Sequence, residues 1–202
     1  MIPDWRAAAL HLTKADARFE RLVAMHGVPD WKVTADPLQH LARAIVFQQL
    51  SGKAAGTIYQ RFLALFPGSR FPSARKLAQV EVARLRQAGL SQAKALAVKD
   101  LAGHVVARKL APQTLHRMSN EEVAAKLLPI RGIGPWSVDM FLMFGLARPD
   151  VLPVGDLGVR KGAALHFGLR KLPTAEALLR WAKAWQPYRS VGSWYMWRRL
   201  EA

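Results

Sequence analysis

Helix-start signals recur along nearly the whole chain while few segments alternate with period two, and that combination restricts the fold to helices packed on helices. Asp36-Pro37 is the clearest signal: a side-chain acceptor, then proline at the first helical position, where a missing N–H is no loss. The helix it opens is expected to run to about Leu50, where Ser51-Gly52 breaks it and caps a second one reaching about Phe66. Upstream, Thr13 with Asp16 opens a helix ending near Gly27, and a loop from Val28 to Asp36 follows, with Trp31 as a candidate buried anchor. Short helices are expected around 74–79 and 81–88, and Ser91 caps a long one to about Arg108. Ser119 and Glu122 form a capping box for a helix reaching Leu128, and Gly134 begins another, to about Leu146. After a loop at Pro149–Gly155, Asp156 caps a helix to His166, Thr174 opens one to Trp185, and Pro187 opens the last. The expectation is an all-α fold of about ten helices with at most a minor sheet.

Composition narrows the function. At 51% hydrophobic and 22% charged residues, 202 residues bury a substantial core rather than staying disordered. There is no cysteine, which excludes a disulfide framework, thiol catalysis, cysteine-ligated zinc and an iron–sulfur cluster. The longest apolar run, Met140–Ala147, is far short of a bilayer span, and the first residues carry an early acid, Asp4, without a secretory core. The expectation is no membrane partner and a cytoplasmic location, nucleoid-associated if the source is bacterial.

The net charge of +16 points to a polyanion. It is uneven: residues 37–118 hold 13 basic and two acidic side chains, whereas residues 119–147 hold two basic and three acidic. Any one basic cluster reads equally well as a solvated helix face. The excess across residues 37–118 is harder to explain without a partner that relieves its self-repulsion.

Within the near-neutral stretch, Leu128-Pro-Ile-Arg-Gly-Ile-Gly134 joins two helices through a tight turn. Gly132 and Gly134 admit positive φ and let a phosphate backbone come close, and the helix start at Gly134 offers N–H groups to an anion. By itself the pattern also fits an ordinary helix–turn–helix connection. Asp156, 22 residues after Gly134, likewise reads either as a helix cap or as a carboxylate that stabilises developing positive charge.

The longer strings resolve this ambiguity. Ile130-Arg-Gly-Ile-Gly-Pro-Trp-Ser-Val-Asp-Met-Phe141 followed by Leu152-Pro-Val-Gly-Asp-Leu-Gly-Val-Arg-Lys-Gly162 resembles the helix-hairpin-helix (HhH-GPD) DNA glycosylases. Within them the match is to the alkyl-purine branch, of 3-methyladenine DNA glycosylase II type. Phe47-Gln-Gln-Leu-Ser-Gly-Lys-Ala-Ala55 and Trp185-Gln-Pro-Tyr-Arg-Ser190 extend the resemblance over most of the chain beyond residue 37.

The resemblance implies a two-lobed helical fold with its cleft between the lobes, residues 1–36 with 148–202 against residues 37–147, and a helix-hairpin-helix at about 119–147. It implies excision of alkylated purines, of the 3-methyladenine and 7-methylguanine type, flipped out of duplex DNA in base excision repair. The partner is expected to be duplex DNA containing a damaged base, and the protein is expected to be a monomer. Asp156 is the implied catalytic carboxylate, with Asp139 the second choice. Trp136 stands where lyase-active relatives carry a Schiff-base lysine, so a monofunctional enzyme using water is implied. Its π-face suits a cationic methylated ring, and Tyr188 matches a second pocket aromatic, although core packing explains either residue equally well. Gln49, or next Leu50, is the implied filler of the gap left by the flipped nucleotide, while Gln48-Gln49 also fits a buried hydrogen-bonded corner.

No cofactor is required by the resemblance. A structural Na+ or K+ on the backbone carbonyls of Leu128, Ile130 and Ile133 is implied, with Arg131 departing from the proline common at its position. Two other functions stay open at this level: a non-catalytic hairpin module that binds DNA, and a glycosylase for deaminated or oxidised bases.

Overall fold

The computed structural model describes residues 3–68 and 71–201, and among them there is no strand. The α-helices in chain order are α1 (Trp5–Ala15), α2 (Arg18–His26), α3 (Pro37–Phe47), α4 (Gly52–Ala64), α5 (Ala74–Gln79) and α6 (Val82–Gln87). There follow α7 (Gln92–Val106), α8 (Asn120–Leu127), α9 (Pro135–Met140), α10 (Leu157–His166), α11 (Ala175–Trp181) and α12 (Arg189–Arg198). Short 3-10 segments occupy Pro112–Arg117 and Ala182–Trp185, and a π-helical turn spans Phe141–Gly145.

The caps explain most boundaries. Asp36 accepts the N–H of Gln39, Ser51 that of Ala54, Ser91 that of Lys94 and Thr174 that of Ala177, each satisfying a donor that the first helical turn leaves unpaired. The reciprocal Ser119–Glu122 capping box is formed. Several expectations shift. Pro187 does not open the last helix, whose N-cap is Tyr188, and the helix from Thr174 ends at Trp181 before a 3-10 segment. Helix α1 begins at Asp4, whose carboxylate accepts from Arg6 and Ala7; Thr13 lies inside it, its hydroxyl donating to the Leu10 carbonyl rather than capping. Helix α3 stops at Phe47 rather than Leu50, because Gln48 is extended and Gln49 has φ 55. The helix after Gly134 is α-helical only to Met140 before the π turn takes over.

The chain forms two compact units: a terminal unit of Met1–Val33 with Leu142–Ala202, and a central unit of Thr34–Phe141. The terminal unit packs Trp5, Leu12, Phe19, Leu22, Val159, Leu178, Trp185 and Tyr195 into one core. Trp31 joins its margin half-buried, edge-on to Trp5 at 5.2 Å and to Phe144 at 5.1 Å. A polar tie closes the same unit. Buried His166 at the end of α10 contacts the Asp16 carboxylate at 3.0 Å, and that carboxylate also accepts from Arg18 at 2.8 Å. In the central unit, Leu41, Ile45, Phe62, Leu77, Leu85, Leu101, Leu115, Val123 and Leu127 are all buried.

Candidate active site and nucleic-acid interface

The hairpin is built from the apolar residues that pin it. Ile130 and Ile133 are buried, while Arg131 and Gly132 between them are exposed. Short bonds set the turn, Ile130 N–H to the Leu127 carbonyl at 3.0 Å and Ile133 N–H to the Ile130 carbonyl at 3.1 Å. Gly132 has φ 76, a conformation that suits glycine, and a Cβ there would lie 3.0 Å from the Ala97 side chain. Gly134 precedes α9 with Pro135 at its first position, so the donors at this helix start are the N–H groups of Gly134, Trp136 and Ser137.

Beside the hairpin, the turn after α3 separates into two functions. Gln48 turns inward, its amide donating to the Gly132 carbonyl at 2.9 Å and lying 3.2 Å from the Ser137 hydroxyl. Gln49 and Leu50 remain exposed. These three residues, with Ala44, Phe47, Trp136, Ser137 and Met140, line a pocket of about 320 Å³. Trp136 is 47% exposed, so it is not a core residue. Asp139, one turn beyond it, is half-buried, and burial pushes its carboxyl up to about 6.

In the terminal unit Asp156 is the N-cap of α10. Its Oδ1 accepts the Val159 N–H at 2.7 Å and the indole N–H of Trp197 at 2.8 Å, and the residue is 9% exposed. Gly158 makes room for this arrangement: a Cβ there would sit 2.7 Å from the Trp197 ring and 3.0 Å from Asp156 Oδ1. One turn on, Gly162 lets α10 meet the backbone of α12, since a Cβ would fall 1.9 Å from the Met196 carbonyl oxygen. Asp156 is therefore both cap and oriented carboxylate. Tyr188 immediately precedes α12, packed on the terminal core with its ring edge-on to His11 at 5.5 Å. Trp136, Gln49 and Leu50 thus share one pocket in the central unit, whereas Asp156 and Tyr188 belong to the terminal unit.

The profile of the HhH-GPD superfamily of base excision DNA repair proteins matches residues 42–187, which takes in the Gln48–Leu50 turn, the hairpin and Asp156. The chain belongs to the HhH-GPD superfamily. A curated relative is the DNA-3-methyladenine glycosylase 1 of Schizosaccharomyces pombe, 33% identical over 195 residues that cover 95% of this chain and 86% of that one. Among solved structures, the chain is similar to the 3-methyladenine DNA glycosylase of the same yeast in complex with abasic DNA, at TM-score 0.86 and 32% identity over 97% of each chain. It is similar as well to the DNA-3-methyladenine glycosidase of Bacillus halodurans, at TM-score 0.82 and 34% identity over 95% of this chain and 88% of the other.

Two residues that hold the sequence-predicted positions, one in each unit, are invisible to motif reading. Trp197 is 41 positions from the carboxylate to which it donates, and the close packing of α10 on α12 at Gly158 and Gly162 admits it there. Lys94 donates to the carbonyls of Val46 at 2.7 Å and Gln48 at 2.6 Å, across 46 to 48 residues of sequence. Its one forewarning is a lysine in the first turn of a helix, where a positive charge is unfavourable unless something else holds it.

Proposed function

We propose that this chain is a monofunctional DNA glycosylase that hydrolyses the N-glycosidic bond of alkylated purines flipped out of duplex DNA. The observation that carries this is Asp156, a carboxylate fixed by two N–H donors at a helix start, in a chain one third identical to 3-methyladenine DNA glycosylases. Bond cleavage leaves positive charge on the sugar, and a pre-oriented carboxylate stabilises that charge or aligns the attacking water without reorganising. Asp139 is the second candidate: its carboxyl, raised by burial to about 6, is also largely ionised at neutral pH, and Asp156 is preferred for its place after the hairpin and its fixed Oδ1.

Trp136 has no amine with which to trap the sugar, so water is the nucleophile. Its exposed ring suits a purine made cationic by methylation at N3 or N7, a base that already leaves readily. Tyr188, packed on the terminal core beside His11, is the second aromatic candidate. Gln49 or Leu50 fills the vacated stack, and the N–H groups around Gly132 and Gly134 hold the phosphate backbone. Leu128, Ile130 and Ile133 would offer their backbone carbonyls, neutral hard oxygens, to a single Na+ or K+. Among the described residues no group of three His, Cys, Asp or Glu side chains gathers to hold another metal. Bound there, the cation would add positive charge next to a DNA phosphate.

The test is incubation of methylated, deaminated and oxidised duplexes with the protein, followed by chromatography of released bases. The expected products are free 3-methyladenine and 7-methylguanine, with strands intact until alkali is added and no adduct trapped by borohydride. Release confined to uracil, hypoxanthine or 8-oxoguanine overturns the lesion class, and salt-sensitive duplex binding with no released base overturns the enzyme.

A further inference from the structure

One side of α7 reaches both DNA-facing elements of the central unit. Lys94, Ala97 and Asp100 follow one another at three-residue spacing along this helix. Lys94 Nζ donates to the Val46 and Gln48 carbonyls, closing the C-terminal end of α3 just before the Gln49–Leu50 turn. A helix leaves its last carbonyls unpaired and its C-terminus partly negative, so an ammonium is well matched to that end. Burial lowers the pKa of Lys94, as befits an ammonium whose water has been replaced by carbonyls. Ala97 packs under Gly132, where a Cβ would lie 3.0 Å from the Ala97 side chain. Asp100 accepts the Arg131 N–H at 2.8 Å on the hairpin. Gln48 closes the ring, donating to the Gly132 carbonyl.

The geometry points to Lys94 and Asp100 as positioning residues that hold the Gln49–Leu50 turn and the hairpin in one register, so that phosphate anchoring and gap filling occur together. Gln49 needs such a frame because its φ of 55 is unfavourable for a side chain with a Cβ. Asp100 is one of only two acids in residues 37–118, and a negative charge beside a DNA-binding element weakens long-range attraction. Its carboxylate faces His104 Nδ1 at 3.7 Å within α7 and bonds the hairpin at Arg131. Both roles rest on the proposed assignment of Gln49 and Leu50 as gap fillers and of the hairpin as phosphate anchor.

The experiment compares affinity for a duplex carrying a tetrahydrofuran abasic analogue with affinity for the undamaged duplex. Lys94→Met lowers the ratio of the two about tenfold and leaves undamaged-duplex binding within about twofold, the pattern expected when a filler is misplaced but charge attraction persists. A Gln49→Ala/Leu50→Ala variant serves as reference. If its ratio falls and that of Lys94→Met does not, the positioning role of Lys94 is overturned. If neither ratio falls, the gap-filler assignment itself fails. Should Lys94→Met melt below the assay temperature, Lys94→Gln, which keeps a donor on a shorter arm, is measured against the same reference. For Asp100, Asn retains an acceptor for Arg131 N–H and Leu does not, while both remove the charge. Positioning predicts that Asp100→Asn binds undamaged duplex at least as tightly as the parent and Asp100→Leu about tenfold more weakly. Equal tightening by both variants shows a charge effect alone and overturns the role of Asp100.

Discussion

Two acids in this chain show how environment assigns chemistry to a side chain. Asp156 has its Oδ1 fixed by Val159 and Trp197, whereas Asp139 sits half-buried with its carboxyl raised to about 6. Because Asp139 holds its proton more tightly folded than unfolded, it favours folding less as pH rises from about 4 through 6. Asp139→Asn is therefore expected to raise stability at pH 7.5 by roughly 2 kcal/mol, with the gain vanishing near pH 4, as read from urea melts at the two pH values. Trp197→Phe keeps the ring but removes the donor to Asp156, and is expected to slow base release about tenfold with little change in duplex affinity. Single-turnover rates at saturating enzyme check this. At this scale the sequence shows Asp156 as a cap. It hides Trp197, because that contact depends on how closely α10 and α12 approach.

The closeness of α10 and α12 is an element-scale property, written in glycines. Gly162 has the Met196 carbonyl where a Cβ would go, so Gly162→Ala forces the two helices apart and is expected to destabilise by about 3 kcal/mol. Gly103, within α7, has no atom within 4 Å of its would-be Cβ, and Gly103→Ala is expected to stabilise by about 0.5–1 kcal/mol. Thermal melts of the two variants are expected to move in opposite directions. Most elements were legible because their starts carry Ser, Thr or Asp caps whose bonds are local. Helix α1 was missed: its cap, Asp4, stands close to the amino terminus, and Thr13 resembles a cap while bonding backward. The π turn at Phe141–Gly145 has no local signature in a continuous apolar run. The sequence signals a break only at Ser51-Gly52, so the turn at Gln48–Leu50 reads there as the end of α3. That Gln48 points inward while Gln49 and Leu50 stay outside follows from the hairpin carbonyl 84 residues away.

Across the molecule, the structure redistributes the charge that the sequence places in residues 37–118. The central unit holds 15 basic and six acidic residues and the terminal unit 15 and eight, net charges of +9 and +7. Both units are thus attractive to a polyanion, and the near-neutral hairpin lies in the more basic one. Duplex affinity is expected to fall linearly on logarithmic axes with salt, by about a thousandfold between 50 and 200 mM if some six phosphates are neutralised. Fluorescence anisotropy over a salt series measures that slope, and an affinity insensitive to salt would remove the electrostatic part of the account. The family was legible because its motifs are short strings of fixed spacing, whereas the coupling of turn to hairpin through α7 needs three dimensions.

In the proposed reaction the Asp156 carboxylate enables hydrolysis of the bond to a methylated purine. Asn at this position retains an acceptor for Val159 N–H and Trp197 while removing the charge, so it separates chemistry from folding. The decisive measurement is single-turnover release of 7-methylguanine from a defined duplex by the parent and by Asp156→Asn, with melting temperatures alongside. The expected result is a loss of about 100-fold or more with the melting temperature nearly unchanged. Release at the parental rate by a folded Asp156→Asn variant would contradict it.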